Sequence, residues 1–325
     1  MKMKKTLVLI VTAALTIGTM AGCSQTTLNY SKEISNTAKW EATTSDTTGV
    51  INVDGQGIKE EVTFTATGYT AKDQSYVDMK FNNASGKIKI PELKEYLDGT
   101  TIYINKSYYE ETYALNGLPV PAGLANIKEE YIGIDSASMG MDINKIRALV
   151  TQPDAMVNLG KVVFGDSDID LPIVQNGREY TINLNGDQTV DLTSKAIKAV
   201  VNNLNNINST FKLGLTSENI EQAKKSIKDE ITPLKLSEIK VGLDGSTITS
   251  KEVFADNSYN SDFNMNLKVK DFGEVSLEMK STSIKSDVKA IITPTSTLKM
   301  TQEEFNTLLA PADTNIEATS NVIAK

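Results

Sequence analysis

Phe263-Asn264-Met265-Asn266-Leu267-Lys268-Val269-Lys270 decides the fold class. Four apolar side chains alternate with four polar ones without a fault. Successive side chains of a strand point to opposite faces, so the pattern predicts an antiparallel strand with one buried and one wet face. The reading extends outward. After Phe272-Gly273, a turn, Val275, Leu277 and Met279 continue the alternation. Far upstream, Val62, Phe64 and Ala66 alternate with Thr63 and Thr65, Val77, Met79 and Phe81 with Asp78 and Lys80, and Ile88 and Ile90 with Lys87 and Lys89. Asp54-Gly55, Asp98-Gly99, Asn185-Gly186 and Asp244-Gly245 are turn signals between such runs. Further strands are expected at Gly49–Val53, Thr101–Asn105, Tyr131–Asp135, Tyr180–Leu184, Ile239–Val241 and Val288–Ile292.

Helical periodicity is confined to a few stretches. Ile197, Val200, Val201, Leu204 and Ile207 share one face of a helix over 191–207, and Ile220, Ala223, Ile227 and Ile231 one over 216–231. Asp142 caps a further helix carrying Ile146, Leu149 and Val150, and Pro153 to Val163 reads as another. Thr301-Gln302-Glu303-Glu304 is a capping box ahead of Phe305, Leu308 and Leu309. Pro91 to Leu97 reads as one helical turn, and residues 115–128, with Pro119 and Pro121, as a flap-length loop. These elements give an α+β body of curved antiparallel β-sheets with amphipathic helices packed on one face. Two local echoes raise the question of two related halves, 36–165 and 178–310. Leu97-Asp98-Gly99-Thr100-Thr101-Ile102 returns as Leu243-Asp244-Gly245-Ser246-Thr247-Ile248, and Met141-Asp142 before a helix returns as Met300-Thr301. The offsets differ, so duplication stays open.

Composition narrows the chemistry. The 325 residues hold 33 Lys+Arg against 41 Asp+Glu, a net charge of −8. An acidic body does not suit nucleic acid, whose affinity comes mostly from phosphate neutralisation. Histidine is absent, removing the commonest general base and zinc ligand. Cys23 is the only cysteine, so disulfides within the chain are excluded. Trp40 is the only tryptophan, so an aromatic platform would be built from tyrosines such as Tyr103, Tyr108, Tyr109 and Tyr113, read either as the rim of a sheet or as a ligand-stacking surface. Gly165-Asp166-Ser167-Asp168-Ile169-Asp170 offers alternating carboxylates, but Leu171 and Gly177 stand where a calcium loop needs glycine and a bidentate glutamate. Ser237-Glu238-Ile239-Lys240 lacks the companion motifs of the serine enzymes that use Ser-x-x-Lys. No phosphate-binding glycine loop is present. No catalytic, cofactor-binding or metal residue is therefore assigned.

The N-terminus carries the one specific motif. Lys2, Lys4 and Lys5 precede an uncharged apolar run from Leu7 to Met20, too short to span a bilayer comfortably. Ala21-Gly22-Cys23 and polar Ser24-Gln25-Thr26-Thr27 follow. The stretch resembles the lipobox of bacterial lipoproteins, with Met20 in place of the usual leucine. That resemblance implies acylation of the Cys23 sulfur and signal-peptidase cleavage between Gly22 and Cys23. Each buried CH2 of an acyl chain contributes about 0.8 kcal/mol, so two chains hold stably. The layout expected is a signal peptide over 1–22, a lipidated tether over 23–35, a body over 36–310 and a polar tail over 311–325. The scarcity of arginine, only Arg147 and Arg178, suits a Gram-positive source with an AT-rich genome.

Lipobox, tether, β-meander and inserted helices are together similar in layout to the LolA/LppX type of envelope lipoprotein. The resemblance implies a half-barrel sheet that cradles acyl chains, with the alternating Val, Met, Phe and Leu residues lining a greasy cavity. The other reading is that they fill a solid core. The expected function is a lipid-anchored protein on the extracytoplasmic face of the cell membrane that binds a lipid, glycan or envelope partner without enzymatic activity. A carboxylate-dependent hydrolase of wall polymer and a structural or adhesive surface protein are the alternatives. The sequence leaves the oligomeric state open.

Overall fold

A computed structural model describes residues 24–139, 144, 155–165, 167, 169, 171–211 and 213–309. Its frame is one open, curved sheet of twelve strands, with nine α-helices among the described residues. In chain order the strands are β1 (Ala42–Gly55), β2 (Ile58–Ala71), β3 (Gln74–Asn83), β4 (Leu93–Asp98), β5 (Thr101–Asn105), β6 (Tyr131–Asp135), β7 (Ile173–Asn176), β8 (Glu179–Asn185), β9 (Thr247–Phe254), β10 (Ser258–Val269), β11 (Gly273–Lys285) and β12 (Thr297–Met300). Across the sheet they run β12-β6-β5-β4-β3-β2-β1-β11-β10-β9-β8-β7. Every pairing is antiparallel except β12 with β6. The strands within 36–165 and 178–310 thus form a single sheet, joined where β1 pairs with β11 from Thr43↔Lys285 to Asp54↔Glu274.

The long alternating runs form the long strands, as their period requires. Hairpin geometry fixes the register. At the β1–β2 turn Gln56 and Gly57 both have positive φ, 52° and 81°, the primed geometry that matches strand twist. The Asp54-Gly55 signal lies at the strand end just before it. A second local device sits at Gly49 on β1. It faces Phe64 on β2, and a Cβ at Gly49 would collide with the Phe64 ring and approach the Glu278 carbonyl to 2.8 Å. Glycine there lets the ring lie flat across the strand.

The helices are α1 (Gln25–Ala38), α2 (Lys106–Leu115), α3 (Ala122–Ala125), α4 (Ala155–Phe164), α5 (Gly186–Asn202), α6 (Leu204–Phe211), α7 (Ser217–Glu230), α8 (Pro233–Gly242) and α9 (Gln302–Leu308). Capping boxes open α5 with Asn185 and Gln188, α7 with Thr216 and Asn219, and α9 with Thr301 and Glu304. Helix-to-sheet packing concentrates toward the two ends of the sheet: α2 on β5 and α9 on β6 at one end, α1 on β7 and α5 on β8 and β9 at the other.

Several local expectations are corrected. The stretch 24–35, read as a polar tether, is helical: Ser24 caps α1, and Thr27, Tyr30, Ser31 and Ser35 form a buried stripe too polar to register as amphipathic. Residues 91–97 are not a helical turn. Leu93, Glu95 and Leu97 lie in β4, where pairing with β3 and β5 outweighs the local pattern. Ile239–Val241 ends α8, which Thr232 caps and Pro233 starts. Val288–Ile292 is not a strand, because the chain must cross from β11 in mid-sheet to β12 at the edge, and residues 286–296 make that crossing. Tyr108, Tyr109 and Tyr113 lie on α2 rather than on the sheet. Within 115–128, α3 buries Leu124 completely. The helix expected from Asp142 lies outside the described residues. The echoed segments occupy different settings: Leu97–Ile102 spans the β4–β5 hairpin, whereas Leu243–Ile248 leads from the end of α8 into β9.

Replacing Gly49 with valine is expected to displace the Phe64 ring and lower stability by about 1–3 kcal/mol, as overpacking does. A urea denaturation midpoint close to that of the unaltered protein would show that the ring can move aside freely.

Candidate functional site

The two faces of the sheet differ, and strand register shows how. On one face, cross-strand neighbours form a continuous apolar belt. Ile182 and Leu184 on β8 lead through Ile248 on β9, Phe263 and Met265 on β10, Leu277 and Met279 on β11 and Ile51 on β1 to Val62 and Phe64 on β2 and Met79 and Phe81 on β3. The ring centroids of Phe64 and Phe81 are 6.1 Å apart. Beside the belt, the same face of the central strands carries hydroxyls. Ser45 on β1 bonds Ser283 on β11 at 2.8 Å, and Thr47 bonds Ser281 at 2.9 Å. Ser261 on β10 and the bare backbone of Gly68 on β2 extend this strip. The face is therefore amphipathic along β1, β10 and β11, apolar at one end and hydroxyl-lined at the other.

Helices close both ends of this face. At one end Tyr30 of α1 sits among Tyr180, Phe254 and Tyr259, with ring centroids 5.2 Å from Tyr180 and 5.9 Å from Phe254. At the other end Phe305 of α9 packs with Ile132, Ile134 and Leu124, and Tyr109 of α2 leans on Phe305 at 5.0 Å. Between these shoulders the floor residues of β1, β2, β3, β10 and β11 are half-buried. The apolar residues among them are absent from the three fully buried core clusters. The result is a trough whose floor is the middle of the sheet.

Three glutamates lie on the same face: Glu60 on β2, which accepts from Asn83 and Ser85, and one near each shoulder. Glu252 on β9 adjoins Ser261 and is saturated: it accepts from the Tyr30 hydroxyl at 2.6 Å, the Tyr259 hydroxyl at 3.0 Å and Ser250 at 3.3 Å. Burial, and then the nearby Glu252 charge, push the Tyr30 hydroxyl well above its ordinary pKa, so it remains a donor. This contact ties α1 to the sheet from inside. Outside, the Arg178 guanidinium grips Glu33 of α1 with two bonds of 2.7 and 2.9 Å and reaches Asp256 at 2.7 Å.

Glu95 on β4 has no such support. Its cross-strand neighbours are Val77 and Ile104, and Leu93 and Leu97 flank it on its own strand. Among the described residues it makes no hydrogen bond or ion pair. Desolvation alone raises its pKa. The titratable group facing it from above is Tyr109 of α2, itself pushed up first by burial and then by the charges of Tyr108 and Glu95. Sequence reading misses Glu95 because the segment 91–97 has the local pattern of a helical turn. The available signal was Leu93-Lys94-Glu95-Tyr96-Leu97, where a carboxylate occupies the apolar phase of an alternation.

The opposite face carries the tyrosines. Tyr69, Tyr76, Tyr96 and Tyr103 stand in register across β2, β3, β4 and β5. Tyr76 and Tyr96 lie 4.7 Å apart, and Tyr96 meets Tyr131 edge-on at 5.5 Å. Tyr103 is buried across Gly133, with Lys299 5.5 Å above its ring. Tyr69 donates to the backbone of Asp287 and Lys289, in the crossing segment. These rings thus pack on one another and on that segment. A polar groove of about 610 Å³ lies near the β1–β2 turn, lined by Asp54, Lys59, Glu60, Glu61, Ser85 and Glu274 among others. Among the described residues no group of three His, Cys, Asp or Glu side chains is placed to hold a metal ion. Gly22, Cys23, Asp166, Asp168 and Asp170 lie outside the described residues.

A Glu whose pKa is raised by folding destabilises the fold once it ionises, so the cost is absent in acid and present at neutral pH. Glu95→Gln is therefore expected to raise the denaturation midpoint at about pH 7, with the gain vanishing below the ordinary Glu pKa of about 4.3. An equal effect at both pH values would mean that Glu95 is not desolvated. No protein family matches the chain, and no curated protein matches it.

Proposed function

We propose that the protein is a lipid-anchored protein of the extracytoplasmic membrane face that binds an amphipathic lipid in the trough of its sheet without transforming it. The observation that carries this reading is the half-buried apolar belt across the central strands, flanked rather than covered by helices among the described residues. Solvating such a surface is costly: each Å² of apolar area withdrawn from water contributes about 25 cal/mol. An acyl chain is a suitable cover because it is flexible, apolar and long compared with the strand spacing of about 4.8 Å. The hydroxyl strip beside the belt suits the polar end of the same molecule. A glycan is less suited, since the tyrosines that would stack against it are engaged with one another and with the crossing segment.

The lipobox supports the location. The Cys23 sulfur would carry the acyl chains, and α1 begins two residues later. Because α1 is held by Tyr30 and Glu33, the body would stand directly on its anchor, with the trough close to the bilayer that supplies its ligand.

Native mass spectrometry of the full chain, released from a mild detergent micelle, is expected to retain a lipid adduct. Phe81→Glu should abolish the adduct while leaving the circular dichroism spectrum of the sheet intact. A clean unliganded mass for the unaltered protein would count against the trough. Independently, Cys23→Ala should shift the protein from washed membranes into the soluble fraction; unchanged membrane retention and processing would remove the anchor.

A further inference from the structure

We infer that Glu95 selects the ligand's head group, and that the preferred ligand is a single-chain amphipath ending in a primary amine. The inference rests on the lipid-binding reading of the trough. Register carries it further. Glu95 belongs to the cross-strand row Tyr259, Ser283, Ser45, Gly68, Val77, Glu95. The neighbouring row runs Glu252, Ser261, Ser281, Thr47, Ala66, Met79, Leu93. Glu252 thus adjoins the hydroxyl strip directly, whereas Gly68 and Val77 separate Glu95 from Ser45. Glu252 is satisfied by two tyrosine hydroxyls and a serine. Glu95 is bare among the described residues. Met79 and Leu93, beside Glu95, lead directly into Phe81 and Phe64 of the belt, so a molecule with its tail on the belt brings its head to Glu95.

Charge decides which head fits. A carboxylate in apolar surroundings is stabilised by a cation that also donates hydrogen bonds. An ammonium group brings a full positive charge and three donors to Glu95. An alcohol supplies one donor and no charge. An acidic head is disfavoured twice, by Glu95 itself and by the chain's net charge of −8. The other lysines near β4 do not serve as its counterion. Lys94 lies on the opposite face of the strand and pairs with Glu92, while Lys106 pairs with Glu110 and donates to the Ile127 carbonyl.

The test measures retention of radiolabelled dodecylamine and dodecanol by the full chain in nanodiscs, with empty nanodiscs as the blank. The unaltered protein is expected to hold the amine about tenfold more tightly than the alcohol, within the range of one charge-assisted hydrogen bond in a half-buried site. Glu95→Gln should bring the amine down to the level of the alcohol and leave the alcohol unchanged. Because this substitution is expected to stabilise the fold, lost amine binding would not reflect unfolding. Equal retention of both ligands by the unaltered protein, or an amine preference that survives Glu95→Gln, overturns the assignment while leaving the trough in place. Failure to retain either ligand above the blank overturns the lipid-binding reading and the assignment with it.

Discussion

The pairing of β1 with β11 is the constraint on which the rest of the molecule depends. It joins strands separated by more than two hundred residues in the chain through a ladder from Thr43↔Lys285 to Asp54↔Glu274. Without it there would be two smaller sheets, each with an open edge of unpaired backbone groups. With it the apolar residues of β8, β9, β10, β11, β1, β2 and β3 fall on one surface. A register slip of one residue would place Ile51 and Leu277 on opposite faces and break the belt. Hydroxyl pairs on the trough face, Ser45 with Ser283 and Thr47 with Ser281, span the same junction. A fold built around so distant a contact pays heavily in loop-closure entropy and is expected to form slowly.

On the proposed lipid-binding reading, the floor is a compromise between stability and recognition. Most proteins of this length cover an apolar sheet face with helices and gain the full burial term. Here the fully buried clusters sit under the flanking helices, around Phe305, Phe164 and Tyr30. The central strands are held mainly by their own hydrogen-bonded ladders and by contacts within the floor, such as Phe64 lying across Gly49. Glu95 adds to the cost, since its charge is desolvated without a compensating partner among the described residues. A bound molecule that covers the belt and meets that charge would relieve both. Glu252 shows the alternative solution within the same face: there the chain supplies its own hydroxyl donors, and the carboxylate becomes a clasp for α1.

Much of this was legible locally. Alternation at Phe263–Lys270, Val62–Ala66 and Val77–Phe81 gave strands with one apolar face, and the Thr301 capping box gave α9 at its stated start. The apolar half of the candidate site was therefore readable as residue types. Its polar half was not. Ser45, Thr47, Ser281 and Ser283 become a strip only through pairing across the β1–β11 junction. Glu95 was hidden because Pro91 and the short run after it resemble a helical turn, and only strands on both sides of β4 settle the matter. The α1 helix was concealed by its polarity: Tyr30 and Ser35 bury well beneath the level that periodicity detects, because their burial depends on Glu252, Arg178 and the aromatic rings waiting on distant strands.

The sequence by itself determined the alternation of the strands, the helix caps, the acidic charge, the absence of histidine and the lipobox-like start, because each is a property of residues close together in the chain. Only the tertiary structure decided which strands meet, that one sheet rather than two results, where the described helices pack on it, and that Glu95 stands without a partner among the described residues. Those outcomes depend on side chains brought together across hundreds of residues, and no local pattern encodes the partner that a strand or a charge will find.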